Sequence, residues 1–187
     1  AMKQLEGFLN ANDPMPPLLK VGLAHSQFET IHPFLDGNGR IGRLLITLLL
    51  MKEECLSRPL LYLSYFFKVN RLEYYRRLQD VRDHGEWEAW LTLFLRCVID
   101  TSNNAIATSR NILDMRKAYQ QTIMKEFGSR SGQGMKVFDE LFNRPLITVK
   151  RIAEISGLSY QNANKLADAF EGLKILKEVT GQKRNRV

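Results

Sequence analysis

The sequence predicts a mainly α-helical protein, in which a helical bundle precedes a small C-terminal domain built of short helices. Two observations carry this prediction. Apolar residues recur at helical spacing up to about residue 128, and no sustained stretch alternates with period two. Beyond the small-residue run GSRSGQG at 128–134, the segments become short and are bounded by Thr148, Gly157 and Ser159, residues typical of helix ends.

Composition limits the classes of protein to which the chain can belong. A chain of 187 residues with 44% hydrophobic residues can form one or two domains with a buried core. Its longest apolar run, 44–51, is far shorter than the roughly 20 residues of a membrane-spanning helix. Cys55 and Cys97 have neither metal nor disulfide spacing and no signal peptide is evident, which favours a cytoplasmic protein. The net charge of +7 is compatible with anionic partners without selecting one.

The bundle is predicted from helical periodicity and from the residues that interrupt it. Pro14, Pro16 and Pro17 separate the first two helices, and Gly85 ends the fourth. The third helix is apolar nearly all round, which predicts the centre of the bundle, and Trp87, Trp90 and Phe94 are expected in the core. The predicted helices are 3–10, 18–31, 41–56, 70–83 and 86–127.

The C-terminal part is predicted to be a winged helix-turn-helix domain. We expect a helical core over 1–128, a flexible linker at 129–134 and the winged domain over 135–187. Helices are expected at 135–142, 149–156 and 160–172, the last two joined by Gly-Leu-Ser, and a β-hairpin with strands 175–179 and 183–187 would form the wing. Residues that could contact DNA or a protein partner are Tyr160, Gln161, Asn162, Asn164 and Lys165 in the second helix and Lys183, Arg184 and Arg186 in the wing. DNA, a protein target and a homodimer all remain open as partners of this domain.

The stretch HPFLDGNGRIGR at 32–43 carries the clearest chemistry. Gly37 and Gly39 permit positive φ and close approach, so amides around Asn38 can converge on an anion. A helix beginning near Arg40 adds its positive N-terminal end, and Arg40 and Arg43 lie three residues apart on one face. This combination predicts a phosphate site.

Two further residues of the stretch suggest catalysis. Asp36 is the acid among these positive groups and suits Mg²⁺ bridging phosphate oxygens. His32 supplies an imidazole, the side chain best suited to proton transfer near neutral pH, and Pro33 fixes the chain after it. Base, metal ligand and phosphate cradle are therefore all predicted within twelve residues.

These residues resemble the signature of the Fic family, HPFx[D/E]GNGRxxR, at every position. The resemblance extends to LAHSQFETI before the signature and LSYFFKVNRLEYYRRL after it, and the chain is similar to Fic proteins with a C-terminal winged helix. It implies a Fic-type helical bundle that transfers AMP from MgATP to a Ser, Thr or Tyr hydroxyl of a target protein, releasing pyrophosphate. The death-on-curing kinases of the same superfamily carry a lysine where Gly39 lies, so this glycine favours nucleotidyl transfer.

The resemblance also implies residue roles. His32 would be the base that deprotonates the target hydroxyl, and Asp36 would bind Mg²⁺. Phe34 would point into the core and anchor the loop. The residues implied to hold ATP are Gly37, Asn38, Gly39, Arg40 and Arg43.

Several alternatives stay open beside this hypothesis. The chain could instead be a DNA-binding regulator that senses nucleotide, although a pure sensor has no need of His32. His25, Glu29 and His32 have helical spacing that could ligate a metal, but packing is favoured because family members share this stretch without one. The cluster of Tyr74 and Tyr75 with Arg71, Arg76 and Arg77 could line a nucleotide pocket or cover the surface.

The resemblance also predicts that the chain is a fragment. Fic proteins usually place a hairpin flap and further helices before the signature, and the 31 residues preceding His32 contain no such hairpin pattern. The inhibitory motif [S/T]xxxE[G/N] of many relatives is not matched in the sequence, so Arg43 is expected to lack an internal glutamate clamp.

Overall fold

The computed structural model describes residues 1–12 and 14–181 of the chain, and these residues form helices and loops without a β-strand. The mainly α-helical prediction is therefore confirmed. The helices are α1 (Met2–Asn10), α2 (Pro17–Ile31), α3 (Asn38–Lys52), α4 (Leu63–Val69), α5 (Arg71–His84), α6 (Trp87–Phe127), α7 (Ser131–Asn143), α8 (Val149–Ser156) and α9 (Tyr160–Gly172), with a 3₁₀ turn at Gly128–Arg130. The chain packs as two compact units, Ala1–Ser109 and Arg110–Val187.

Two elements of the first unit differ from the predicted ones. α3 begins at Asn38 rather than near residue 40 and ends at Lys52, after which Glu54 adopts φ of +56° and turns the chain. The short helix α4 was not predicted. Its seven residues are too few for helical periodicity to be recognised.

The core of the first unit is built where α2, α3 and α5 pack around the start of α6. Trp90 and Phe94 are fully buried as predicted, whereas Trp87 is 38% exposed. The Trp90 indole N–H donates to the carbonyl of Gly22 at 2.8 Å. A Cβ at Gly22 would lie 2.9 Å from the Phe94 ring, so this glycine lets α2 approach α6 closely.

The second unit has its own core, to which the end of α6 contributes Ile123 and Phe127. α8 and α9 cover the residues predicted for a helix-turn-helix. Thr148 caps α8 by accepting from the Arg151 N–H at 3.2 Å, and Ser159 caps α9 by accepting from the Asn162 N–H at 3.4 Å. Gly157 ends α8 with φ of +70°.

The predicted wing is only partly covered by the described residues. Residues 175–179, predicted as its first strand, are not in a strand. The N–H groups of Ile175 and Leu176 instead donate to the Phe170 carbonyl at the end of α9. Lys183, Arg184 and Arg186 lie outside the described residues.

The segment predicted as a flexible linker is structured. Residues 128–130 form the 3₁₀ turn, and α7 begins at Ser131. Gly134 is buried, and a Cβ there would lie 2.5 Å from the Phe127 ring. Its small size therefore permits close helix packing, and the division between the units lies inside α6 rather than at 129–134.

None of the helices within residues 1–12 and 14–181 is both long and apolar enough to cross a membrane.

Candidate active site

His32 ends α2 in an unusual backbone conformation. It adopts φ of +50° and ψ of +57°, while its N–H donates to the Phe28 carbonyl at 3.0 Å. A non-glycine residue in the left-handed region is strained, and such strain is concentrated at functional sites. The imidazole is consequently presented at the surface, at the start of the loop that leads to α3.

The His32 ring makes one hydrogen bond that assigns its tautomer. Nδ1 lies 3.3 Å from the carbonyl oxygen of Glu29, and because a carbonyl can only accept, Nδ1 carries the proton. In the neutral form of the ring, Nε2 is then the nitrogen without a proton. A neutral histidine held in this way is suited to accept a proton from an incoming group.

Asn38 closes the loop between the two helices. Its side chain is buried, with Oδ1 accepting from the Phe34 N–H at 2.9 Å and Nδ2 donating to the Phe34 carbonyl at 2.5 Å. Both polar atoms of the amide are thus used to fix 34–38. The sequence assigned Asn38 only to the phosphate cradle, so this structural role was missed.

Phe34 occupies a different position from the predicted one. It was expected to point into the core, but it is 47% exposed and contacts the core on one side, with its ring centroid 6.4 Å from that of Phe28. The two hydrogen bonds between the Asn38 side chain and the Phe34 backbone hold the loop while the Phe34 ring stays half exposed.

The first turn of α3 offers backbone N–H groups to an anion. Gly37 precedes the helix with φ of +83°, and its carbonyl accepts from the N–H groups of Arg40 and Ile41, both at 3.0 Å. The N–H groups of Asn38 and Gly39 precede these two hydrogen bonds. They therefore have no carbonyl partner within α3. With the helix dipole, they make this end of α3 suited to phosphate.

The side chain of Asp36 is positioned close to the same helix end. Oδ1 accepts from the Gly37 N–H at 2.6 Å, and Oδ2 lies 3.4 Å from Arg40 Nη2. Both partners of the ion pair are highly exposed, with 93% and 77% of their side chains accessible, so the pair contributes little stability and can open.

The residues present fit Mg²⁺ bound together with phosphates. The structure gathers no group of three or more potential ligands among its described residues, and Asp36 supplies one exposed carboxylate. Mg²⁺ commonly uses one or two carboxylates and completes its shell with phosphate oxygens and water. The site thus suits a metal that arrives with a nucleotide.

A buried network lies behind Arg43, and sequence reasoning did not identify it. His25 is fully buried, with Nδ1 3.0 Å from the Gly42 carbonyl and Nε2 2.9 Å from the Tyr74 hydroxyl. Burial lowers the pKa of His25 to about 4. Burial likewise raises the pKa of Tyr74, and the positive charge of Arg43 opposes that rise. The separation of 49 positions in sequence between His25 and Tyr74 explains why no local pattern indicated the pair.

Glu29 is a buried carboxyl at the same place. It is 5% exposed, and its Oε1 has no hydrogen-bond partner among the described residues. Burial raises its pKa, an effect opposed by His32, Arg43 and Arg82. Arg82 also donates from Nη2 to the Glu29 carbonyl at 2.6 Å.

A cavity of about 330 Å³ opens beside Arg43. Tyr74 is buried in its wall, whereas Tyr75 is 53% exposed beneath the Arg71 guanidinium, which lies 5.5 Å from its ring centroid. Arg77 instead pairs with acids of its own helix, and Arg76 does not line the cavity. The lining residues are Arg43, Tyr62, Ser64, Tyr65, Phe67, Lys68, Arg71, Tyr74 and Tyr75.

In the second unit, the predicted contact residues of α9 are mostly at the surface. Tyr160, Gln161, Asn162 and Lys165 are exposed, whereas Asn164 is half-buried and donates to Asp168 at 3.4 Å. These residues form a polar surface at the start of α9 without a cluster of positive charge.

The charge of the chain is divided unequally between the two units. Residues 1–109 contain 12 lysines and arginines and 12 acids, whereas residues 110–187 contain 15 lysines and arginines and 8 acids. The whole formal charge of +7 therefore belongs to the second unit.

Comparison with known proteins gives one family and a set of curated relatives. A model described as the Fic/DOC family matches residues 1–50, which include the loop at 32–43. The chain is 36% identical over 98 residues to "Protein adenylyltransferase Fic" of Culex quinquefasciatus, covering 51% of the chain and 18% of that protein. It is 30% identical over 112 residues to the protein of that name from Nematostella vectensis, covering 57% of the chain and 25% of that protein. A third, from Drosophila ananassae, is 45% identical over 53 residues, which make up 27% of the chain and 11% of that protein. The chain thus spans a quarter or less of these relatives.

Proposed function

We propose that the chain transfers AMP from MgATP to a hydroxyl side chain of a target protein, and the match of its residues 1–50 to the Fic/DOC family model supports this. The observation that carries the proposal is the loop at 32–43. It combines an exposed imidazole of fixed tautomer with a helix N-terminus and two arginines. The names of the curated relatives support an adenylyltransferase activity.

In the proposed reaction, Nε2 of His32 accepts the proton of a Ser, Thr or Tyr hydroxyl of the target. The hydroxyl oxygen attacks the α-phosphorus of ATP, the bond from that phosphorus to the bridging oxygen breaks, and pyrophosphate leaves. The assigned tautomer supports this role, because Nδ1–H is held by the Glu29 carbonyl while Nε2 is left to act as the base.

The phosphates would bind at the start of α3. The amides of Asn38 and Gly39 would donate to phosphate oxygens, and the guanidinium groups of Arg40 and Arg43 would hold the outer phosphates. When bound, Mg²⁺ would neutralise phosphate charge, and Asp36 would hold it after exchanging its pairing with Arg40. The cavity beside Arg43, with its aromatic and cationic lining, would take the rest of the nucleotide.

Substitution should separate the role of the base from that of the phosphate ligands. His32→Ala should abolish transfer of labelled AMP to protein and leave MgATP affinity nearly unchanged. Arg40→Ala should weaken MgATP binding by about 1.5–3 kcal/mol, the range for a charge-assisted contact. Transfer is read from incorporated label in the presence of candidate target proteins, and affinity by isothermal titration calorimetry.

Matched controls lie at exposed positions outside the loop. His84→Ala in the first unit and Arg110→Ala in the second make the same changes and should affect neither measurement. Equal loss of MgATP affinity in His32→Ala and Arg40→Ala would refute the base assignment, and the absence of label transfer by the unmodified chain would refute the proposed activity.

A second candidate function is DNA binding by the second unit, with α9 as the recognition helix. The specific observation that favours it is the localisation of the +7 charge to residues 110–187, together with two short capped helices in helix-turn-helix order. It is compatible with the transferase activity of the first unit, since the two would use different surfaces.

A further inference from the structure

The backbone carbonyl that orients His32 is shared with a side chain from another helix. The Glu29 oxygen lies 3.3 Å from Nδ1 of His32, and Arg82 of α5 donates to the same oxygen from Nη2 at 2.6 Å. We infer that Arg82 is a positioning residue, which holds this carbonyl in place so that the ring proton of His32 stays on Nδ1. The inference rests on the proposed function, in which Nε2 of His32 is the base.

Pro33 explains why the Glu29 carbonyl is free to accept from side chains. In a continuing helix it would accept from the N–H of the residue four positions later, which is position 33. Proline has no N–H, so that partner does not exist. A carbonyl oxygen has two lone pairs, and here it takes one donor from His32 and one from Arg82.

Arg82 binds two consecutive residues of α2. While Nη2 donates to the Glu29 carbonyl, Nε donates to the Thr30 hydroxyl oxygen at 3.2 Å. The Thr30 hydroxyl uses its own proton for the Ser26 carbonyl at 2.9 Å, which leaves its oxygen as an acceptor. Because the guanidinium group is planar and rigid, these two contacts fix the last turn of α2 from the side of α5.

The backbone conformation of His32 makes this support necessary. Its φ of +50° is strained for a residue with a side chain, and such a conformation persists only where the surrounding structure holds it. The bond from the His32 N–H to the Phe28 carbonyl holds one part of the turn. Arg82 adds its two contacts at Glu29 and Thr30, and its positive charge is favourable at the C-terminal end of a helix.

Arg82 acts on the Nδ1 side of the His32 ring. Its partner is the carbonyl that accepts the Nδ1 proton, rather than the nitrogen proposed as the base. If that carbonyl shifts, a neutral imidazole can carry its proton on either nitrogen, and a ring protonated on Nε2 cannot accept a proton there. Arg82 therefore increases the fraction of His32 that is ready to act as the base, and it does so through the Glu29 carbonyl.

A substitution at position 82 can remove the contact with the carbonyl alone. In Arg82→Gln the amide nitrogen takes the place of the arginine Nε, so it can still donate to Thr30 but is too short to reach the Glu29 carbonyl. Arg76→Gln makes the same change at another exposed position of α5, which does not line the cavity beside Arg43. Both variants are compared with the unmodified whole chain.

The tautomer of His32 tests the inference without nucleotide. The ¹⁵N chemical shifts of the ring nitrogens, measured in alkaline buffer where histidine is neutral, distinguish a protonated nitrogen from an unprotonated one. The unmodified chain and Arg76→Gln should carry the proton on Nδ1, whereas in Arg82→Gln a larger fraction should carry it on Nε2. An unchanged tautomer in Arg82→Gln would overturn the inference, and so would a proton on Nε2 in the unmodified chain. Should Arg82→Gln fail to fold by circular dichroism, Arg82→Met replaces it in every measurement, with the same outcomes.

Kinetics connect the inference to the proposed function. With the target protein in which label transfer is first detected, Arg82→Gln should lower kcat about 10- to 100-fold and change MgATP affinity less than about twofold, because a misplaced base slows the reaction without loss of a phosphate contact. Arg76→Gln should change neither quantity. If the unmodified chain transfers no AMP, the proposed function fails while the ¹⁵N shifts still decide the role of Arg82. An unchanged kcat of Arg82→Gln, in a chain that does transfer AMP, would overturn the inference.

Discussion

The three histidines of the chain differ in their surroundings. His25 is buried between a carbonyl and a hydroxyl, whereas His32 and His84 are exposed at helix ends. A histidine gains or loses its charge in the physiological range according to its environment. The local sequence did not distinguish them, because the partners of His25 come from α3 and α5.

The buried His25 should make the stability of the protein depend on pH. Its pKa falls from 6.5 to about 4 on folding, so between these values the unfolded chain binds a proton that the folded chain does not. The free energy of unfolding should therefore decrease as the pH is lowered from about 6.5 towards 4. This is measured by urea denaturation of the unmodified protein and of His25→Gln across that range.

The comparison with His25→Gln removes the contribution of other groups. The raised pKa of Glu29 acts in the opposite direction, because its carboxyl ionises first in the unfolded chain as the pH rises above 4.5. Both proteins retain Glu29, so their difference reports His25. The unmodified protein should lose more stability than the variant, and parallel curves would contradict the assignment.

At the scale of elements, α7 shows that glycines can suggest a flexible linker where the chain forms a helix. The run at 128–134 has the composition of a flexible linker, yet all of it lies in a 3₁₀ turn and in the first turn of a helix. Gly132 has open space around it, whereas Gly134 faces the Phe127 ring. Close packing therefore requires a glycine at position 134, whereas position 132 has room for a side chain.

These glycines give a matched pair of substitutions. Gly134→Ala should destabilise the protein by about 1–3 kcal/mol, because its Cβ would lie 2.5 Å from an aromatic carbon of Phe127. Gly132→Ala should be neutral or stabilising by up to about 1 kcal/mol, since alanine favours a helix and meets no neighbour. Guanidinium denaturation measures both. A flexible linker would instead tolerate both changes equally.

The sequence predicted the elements whose ends carry their own signals. Thr148, Gly157 and Ser159 mark the ends of α8 and α9 through hydrogen bonds and backbone conformations that depend on neighbouring residues alone. It could not predict α4, which is too short for a period to be recognised, or the close packing of Gly134, which depends on another helix.

The same distinction applies to the candidate site. The loop at 32–43 was recognisable because its proposed chemistry is local, and the structure places its glycines and arginines at the start of α3. The exposure of Phe34 was not predicted, since the hydrogen bonds of Asn38 that replace a buried anchor depend on the folded loop. The His25–Tyr74 pair was missed because its members lie on different helices.

Across the whole molecule, a neutral unit and a basic unit are joined in one chain. Electrostatic attraction to nucleic acid depends on where the charge is located, because screening limits it to about 10 Å at ordinary salt. Any such attraction should therefore arise from residues 110–187.

Charge reversal tests where nucleic acid is attracted. Lys165→Glu, on the exposed surface of α9, should weaken binding to duplex DNA and reduce the salt dependence of that binding by about one unit of slope. Lys3→Glu makes the same change on the neutral unit and should have little effect. Fluorescence anisotropy over a salt series measures both, and equal effects would exclude a DNA surface on the second unit.

The closure of the loop by Asn38 has a consequence for the chemical ageing of the protein. Asn38 and Gly39 form an Asn-Gly pair, the dipeptide in which a backbone nitrogen most readily attacks the preceding amide and releases ammonia. Here the amide is buried, bonded at both polar atoms and placed at the start of a helix, which withholds it from that attack. Deamidation at this pair therefore requires the loop to open first. The slow accumulation of isoaspartate in a stored sample would record how often the loop at 32–43 unfolds.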